Sequence, residues 1–594
     1  MGENFVIILI MAVYLFFMIA IGFFFKSRVK KFDDFILGGR GLPWFVIAMT
    51  LLATLANAQQ VLGIAGFSYQ TGLSFMIWFF IIVNIFIFPL MKRLGSRYRG
   101  MNFSTIVDLA EERYLGSGRM SILMSVFQVM WAVFSVGICL FGGAILIEAV
   151  FNVPWIVGIA ISGTVTVVYC IMGGLNAVVF TDLVQWLIIV LGTAFFIPIV
   201  FIKYGTFTAF FSQLLGAAGM TANEGSGLWG GFTDLFTLAP GGMITVKGII
   251  AMGIAGSLWI PVDLGFMQRM LAAKSITQAR RASLAFIFVI TIWATLMVAL
   301  GMYGRVLLPG VSLPDTVVIL MAKAAMPLLG AGLFITAVTA AVMSTVSTYL
   351  NAGSAIIVKN VYKRFINKDK SDAHYLLLAR IFTVVIVLAA MAFAPMVKTG
   401  GVFVTALTIQ MVICSSLAPM VILSTYWKRM TERAAFWGTL ASGVVTTILT
   451  IKVGGGGAAF AGAGLWGIPV VFLGLIISIV LFVVLSLIEP YNQAKVGPQF
   501  RKLFAGEGEK QKVSNTDLIV VLGIVAVVIV TLVVRKIAGG PFAAFPPLSG
   551  PFAWPSNGYF LAAALGVTVL CIYVLVRSFG WIREIRNKGK QTEG

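Results

Sequence analysis

The chain has 594 residues, 60% of them hydrophobic and only 11% charged, and its 42 Lys and Arg against 21 Asp and Glu give a net charge of +21. So much apolar sequence excludes an ordinary water-soluble domain, because runs of about 20 apolar residues, the length that crosses a bilayer as a helix, recur along it. The positive surplus invites a nucleic-acid partner, but its placement in short loops between apolar runs rejects that class and marks membrane topology instead.

Fifteen spans are predicted. The first, Phe5 to Phe25, lacks a basic leader and a small-residue cleavage site, so it reads as a retained helix and not a signal peptide. Further spans are expected at Pro43 to Tyr69, Leu73 to Met91, Ser121 to Val150, Trp155 to Met172 and Leu183 to Ile202. They continue at Gly248 to Met267, Ser283 to Tyr303, Leu328 to Val358, Tyr375 to Ala394 and Val402 to Tyr426. Ala434 to Ile451, Leu465 to Ile488, Leu518 to Val534 and Tyr559 to Val576 complete the series. Alternating the loops across these spans puts 34 of the 42 Lys and Arg on one side and 8 on the other. By the positive-inside rule, the N-terminus is then outside and the C-terminus cytoplasmic, in a plasma (inner) membrane. The basic tail from Arg577 to Lys590 is suited to anionic lipid heads as well.

Cys139, Cys170, Cys414 and Cys571 lie far apart within predicted spans, which argues against disulfides or a thiolate metal site. The one histidine, His374, is in a loop, so a histidine proton relay is not expected. Gly454 to Gly457 has no Lys-Ser/Thr after it, which removes a phosphate-binding ATPase loop. No enzyme motif emerges, and transport, signalling or passive conduction remain.

The second span carries Asn57, Gln59 and Gln60 at its centre, costly at bilayer depth unless they face a cavity or a break. The seventh is interrupted by Gly256 and Pro261, with Asp263 following. Two interrupted spans, five apart, are the sequence pointer to an inverted repeat with its binding site at broken helices. The alternative is a simple kink at Pro261 and amides packed against a neighbour. In the ninth span, Ala341, Ser344, Thr345 and Thr348 fall at i, i+3, i+4 and i+7, one helical face. Such a face either bonds back to its own helix or offers uncharged oxygens to a small hard cation. The carbonyls of Ala53 and Ala56, freed at the break, would complete an all-oxygen shell with that of Ala341. Asp182, after Gly173-Gly174, reads locally as an N-cap.

Five stretches occur in order: Asp34 to Arg40, Leu52 to Gly66, Gly173 to Leu175 with Thr181-Asp182, Gln268 to Ser275, and Ala340 to Asn351. Together they resemble the sodium:solute symporter family over roughly Phe5 to Glu489, with Cys170 a departure from the usual residue there. The resemblance implies an all-α polytopic membrane protein with the leucine-transporter-type 5+5 inverted repeat and about 15 transmembrane helices. Residues 1–42 would then form a leading helix and inner loop, 43–205 the first repeat, and 206–426 the second with its outer loops. Residues 427–490 would add two accessory helices, 491–515 an inner basic linker, and 516–594 two C-terminal helices and the tail.

The same resemblance implies a first sodium site at Ala53, Ala56, Ala341, Ser344 and Thr345, and a second at Asp182, Ser344, Ser347 and Thr348. All of these residues suit their places, which favours two sodium ions, one being the alternative. Substrate-facing positions would be Asn57, Gln59, Gln60, Ile77, Gly256, Trp259, Asp263 and Gln410. Sugar-carrying members place a Glu, an Asn and a Lys where Ile77, Gly256 and Ile290 stand, so the resemblance disfavours a hexose. A monocarboxylate, amino acid or vitamin-like acid is the better match, although no buried arginine is expected to clamp a carboxylate. The expected function is sodium-coupled symport of such a small-molecule substrate by alternating access. A transporter-like sensor and a sodium-independent facilitator are the rival readings.

Overall fold

The structure, a computed structural model, describes residues 2–26, 32–71, 96–171, 174–204, 246–462 and 467–505, with Leu465 and a few positions between 79 and 94. A helix satisfies its own backbone within one segment, which is why apolar runs of this length take that form in a bilayer. Fourteen helices matter for the site. They are α1 (Gly2–Lys26), α2 (Trp44–Leu55), α3 (Ile64–Thr71), α4 (Gly118–Phe151), α5 (Trp155–Cys170), α6 (Gly174–Tyr204) and α7 (Val246–Leu258). Then follow α8 (Leu264–Leu271), α9 (Ile276–Leu307), α10 (Leu328–Ile356), α11 (Asp372–Phe393), α12 (Val402–Tyr426), α13 (Glu432–Lys452) and α14 (Val470–Ile488).

Nine helices among the described residues are long and apolar enough to cross a membrane, and eleven if two sharply bent pairs each count as one. The helix α12 has the predicted bounds, and α5 is a shorter apolar helix of 16 residues. Of the remaining predicted spans, Leu73 to Met91 lies mostly, and Leu518 to Val534 and Tyr559 to Val576 wholly, outside the described residues.

Both bends fall where the polar and Pro residues interrupt the apolar runs. Trp44–Leu55 and Gln59–Thr71 meet at 62°, and the seventh span turns by 41° between Val262 and Leu264. The first helix stops at Leu55 because Ala56 leaves helical angles (φ −75°, ψ 49°). Asn57 then restarts it, its side-chain oxygen accepting the Gln60 N–H at 3.0 Å, the local bond that lets Asn compete with a helix and begin a new one. In the second break Pro261 sits in a tight turn, and Asp263 caps α8 by accepting the Phe266 N–H.

The hydroxyl-bearing helix α10 is at the centre. It packs on α6, α4, α1 and α2, and every residue from Ala340 to Ile356 is buried. The outer arm α3 lies against α9 with no space to spare, since a Cβ on Gly301 would come within 2.1 Å of the Ala65 carbonyl oxygen. The chain from Phe32 to Leu37 folds as a short helix against α8. Gln268 donates to the Ile36 carbonyl at 2.8 Å and to Asn351 at 2.9 Å, while Leu42 pairs by main-chain bonds with Ala272 and Lys274. Gly38 has φ +56°, and a Cβ there would strike the Asn176 side chain, so both backbone and space call for glycine. The five quoted stretches thus draw together at and below the breaks.

Candidate functional site

The break in the second span and the hydroxyl face of α10 meet directly. Ser344 donates to the Ala53 carbonyl at 2.7 Å and to that of Ala341 at 3.0 Å. Thr345 donates to the Thr54 carbonyl at 2.6 Å and to Ala341 at 3.2 Å. Three carbonyls and two hydroxyls therefore converge, all buried and none charged. Ala53 and Ala341 carry two of these carbonyls. Ala56 is the last residue before the restart, and Thr54, not singled out from the sequence, supplies the carbonyl that Thr345 meets. The bonds to α2 show that the hydroxyls do more than back-bond within their own helix. A shell of neutral oxygens fits a hard monovalent cation better than a divalent one, which draws carboxylates.

About one helical turn further along α10 lies the second expected set, arranged differently. Asp182 is not an N-cap: it stands inside α6, fully buried, because the helix begins at Gly174. Its Oδ2 accepts from the Thr50 hydroxyl and, at 2.7 Å, from Arg269 Nη2. Arg269 itself is fully buried, although it falls between the predicted spans Gly248 to Met267 and Ser283 to Tyr303, and the carboxylate it holds is that of Asp182 and not one in the cavity. Its Nε donates to Thr50 at 2.8 Å, its Nη1 to the Gly265 carbonyl at 3.1 Å, and its Nη2 also to Thr348. Thr348 shares a hydrogen with Thr54 at 3.1 Å, and Ser347 donates to the Ser344 carbonyl at 2.9 Å. The guanidinium therefore sits among the ligands expected for a second ion.

Beside the breaks lies a cavity of about 90 Å³. Of the expected substrate residues, Asn57, Gln59, Gln60, Gly256, Trp259 and Gln410 line it. Ile77 lies outside the described residues. Asp263 is not at the wall. Its carboxylate takes the Phe266 N–H, Trp131 Nε1 at 2.9 Å and the Tyr349 hydroxyl at 2.7 Å, so a polar residue that looked like a substrate group holds the break in shape. Sequence reading missed Trp131, Ser135, Ile138 and Cys139 of α4, which also line the cavity. Their i, i+4, i+7 and i+8 spacing is one helical face and was the available signal. Gln410 Oε1 is buried without a hydrogen-bond partner, an acceptor aimed at whatever donor fills the cavity. Phe403 packs on Phe67 and Phe79 with ring centres 4.9 and 5.4 Å apart.

Two polar clusters lie outside the spans. Asp108 receives Lys359 at 2.6 Å and Asn360 at 3.0 Å, while Arg364 pairs with Glu111 at 2.5 Å, fastening the inner end of α10 to the Asp108–Arg113 helix. Burial alone would raise the Asp108 carboxyl, but Lys359 and the hydrogen bonds from Ser104 and Asn360 outweigh it and hold it below the usual range. At the other side, Asp315 Oδ2 accepts the Val402 N–H at 2.8 Å, and burial pushes its carboxyl up to about 7.

Bent helices around buried neutral oxygens suit a membrane transporter. Residues 35–442 match the model of the sodium:solute symporter family, and the chain belongs to that family. It is similar to the sodium/glucose cotransporter of Vibrio parahaemolyticus, 26% identical over 74% of this chain and 84% of the relative. It is also similar to the high-affinity proline transporter PutP of Bacillus subtilis (strain 168), 27% identical over 74% and 90%, and to human sodium/myo-inositol cotransporter 2, 24% identical over 75% and 69%. Its fold is that of a Na+-coupled sialic acid symporter solved in a substrate-bound outward-open state, with a TM-score of 0.67 at 17% identity over 82% of this chain and 98% of that one.

Proposed function

We propose that the chain is a sodium-coupled symporter of a small organic solute, working by alternating access on two inverted five-helix repeats, with its N-terminus outside the plasma membrane. The observation that carries this reading is the convergence of the Ser344 and Thr345 hydroxyls on carbonyls of the broken second span. Rotating those two O–H groups turns their lone pairs inward beside the carbonyls of Ala53, Thr54 and Ala341. Sodium held there ties α2 to α10 and so stabilises the outward-facing packing. Without it the hydroxyls keep only single hydrogen bonds across the interface, worth about 1 kcal/mol each, and α10 is free to part from α2. Each inward sodium charge gains about 2.3 kcal/mol per 100 mV.

The cavity supports a small solute. At about 90 Å³ it takes a small organic solute, and the absence of the Glu, Asn and Lys of sugar carriers at Ile77, Gly256 and Ile290 favours a monocarboxylate, amino acid or vitamin-like acid over a hexose. Its polar lining is of amides and hydroxyls, with an unpaired acceptor at Gln410 that suits an N–H or O–H on the solute. The bound sodium or the restarted helix end near Asn57 is the natural partner for a carboxylate.

The test is purified full-length protein in liposomes. A thermal-shift screen of small solutes with and without sodium identifies a ligand, and its uptake is then followed under an imposed sodium gradient. Uptake that needs the gradient, and is lost in Ser344→Ala/Thr345→Ala, supports the proposal. Uptake indifferent to sodium makes the protein a facilitator, and sodium-dependent binding without flux makes it a sensor.

A further inference from the structure

A second cavity, of about 520 Å³, lies where α4 and α13 begin and α14 ends, and it shares no lining residue with the cavity beside the breaks. All three helices are long and apolar enough to cross a membrane, so their common end places this cavity at a membrane boundary. We propose that it takes the headgroup of a phospholipid carrying a primary ammonium beside its phosphate, phosphatidylethanolamine, with the acyl chains lying back along the helices.

The walls are pinned together. The stretch from Glu489 to Val496 forms one wall and is tied at both ends. The Thr431 N–H donates to Ser486 Oγ at 3.2 Å, just before that stretch. The Leu115 N–H donates to the Lys495 carbonyl at 2.9 Å, and the Gly497 N–H to the Glu112 carbonyl at 2.8 Å.

Two kinds of group in the lining have no counterpart in the chain. Arg113 is only 1% exposed, and it donates to main-chain carbonyls alone: Nε to Ser424 at 2.9 Å, Nη2 to Lys428 at 3.0 Å and Met430 at 2.9 Å. The rings of Tyr114 and Phe504 lie 5.1 and 5.2 Å from its guanidinium carbon. Among the described residues no carboxylate pairs with it, nor with Lys495 in the facing wall. Cations so placed draw a phosphate, which arginine meets with charge-assisted hydrogen bonds. The second group is Glu489, whose Oε2 is buried without a hydrogen-bond partner and needs a cation or an N–H. The other two charges of the lining, Arg119 and Glu432, satisfy each other at 2.5 Å and do not compete.

One ligand that meets both needs carries an anion and an N–H cation in a single small group, as phosphoethanolamine does. The methylated nitrogen of phosphatidylcholine has no hydrogen for Glu489, and phosphatidylglycerol has no cation. The surroundings favour a lipid over a free phosphate ester. Leu487 and Ile488, directly before Glu489, are exposed apolar residues, and Tyr491 and Trp437 are exposed aromatics of the kind found at headgroup level.

The test is native mass spectrometry of the purified full-length protein, titrated in turn with phosphatidylethanolamine, phosphatidylcholine and phosphatidylglycerol. One phosphatidylethanolamine per chain should bind about tenfold more tightly than either of the others, the worth of one hydrogen bond to a charged group. Glu489→Leu removes the acceptor and should bring phosphatidylethanolamine down to the level of phosphatidylcholine. Lys495→Gln removes a cation and should weaken both lipids alike. Neither side chain belongs to the fully buried core, so both variants keep the fold. No bound lipid, equal binding of the three, or a preference that survives Glu489→Leu overturns the proposal. Soluble phosphoethanolamine that displaces the lipid at equal concentration makes the occupant a free phosphate ester and overturns it as well.

Discussion

Replacing Asp182 by Asn leaves Arg269 buried, charged and without its anion. The guanidinium keeps Thr50, Thr348 and the Gly265 carbonyl, all neutral, so the loss is that of one partner from a buried ion pair. Such a loss typically costs about 3–5 kcal/mol, far more than the pair's net worth against a neutral replacement. For a chain of this size 1 kcal/mol moves the melting point by about 1–2 °C, extrapolating from smaller domains, so Asp182→Asn should melt about 3–10 °C below wild type. The double variant Asp182→Asn/Arg269→Gln removes both charges and should recover most of that drop, giving a coupling of at least about 2 kcal/mol in a double-mutant cycle. Tryptophan fluorescence during thermal unfolding in detergent reads all four proteins. If Asp182→Asn melts with the wild type, or the double variant is no more stable than the single one, the guanidinium is not held by this carboxylate.

Gly301→Ala should lower the amount of folded protein recovered by size-exclusion chromatography, because the new methyl meets the Ala65 carbonyl oxygen at 2.1 Å and the outer arm of the broken span must move; normal recovery would mean the arm is not wedged there. Asp315 has its carboxyl raised to about 7, so the folded protein holds a proton that the unfolded chain releases near pH 4. Its contribution therefore falls as pH rises from about 4 through 7, and Asp315→Asn, which still accepts from Val402, should melt higher than wild type at pH 8 and close to it at pH 4. Gln410→Leu should weaken binding of the solute found by screening about tenfold, from the loss of one hydrogen bond of about 1–2 kcal/mol, and leave sodium affinity within a factor of two; unchanged solute binding would remove Gln410 from the site.

What the sequence revealed follows from how membrane helices tolerate polarity. Asn57, Gln59 and Gln60 in the second span and Pro261 in the seventh could not lie in plain helices facing lipid, and both spans are broken where they stand. The spacing of Ala341, Ser344 and Thr345 fixed one helical face, and that face meets the break. Arg269 misled because a basic residue near the end of a span looks like part of a cytoplasmic loop. What draws it inward is a carboxylate 87 positions away in the chain, a contact invisible to periodicity. Asp263 misled for the opposite reason: its polarity marked it for the solute, yet Trp131, Tyr349 and the start of α8 consume all of it. The carbonyl of Thr54 was missed because which main-chain oxygens emerge from a break depends on how the residues beyond them turn, here Ala56, two positions on, at ψ 49°.

The short Phe32–Leu37 helix has a bearing on how the carrier lets its cargo go. Its carbonyls at Phe35 and Ile36 are held by Asn351 of the hydroxyl-bearing helix and by Gln268 of the lower broken arm, and those two amides also hold each other. A floor fastened to both elements cannot part from one while keeping the other unstrained, so any rearrangement that separates the lower arm from the hydroxyl-bearing helix has to break these amide contacts together.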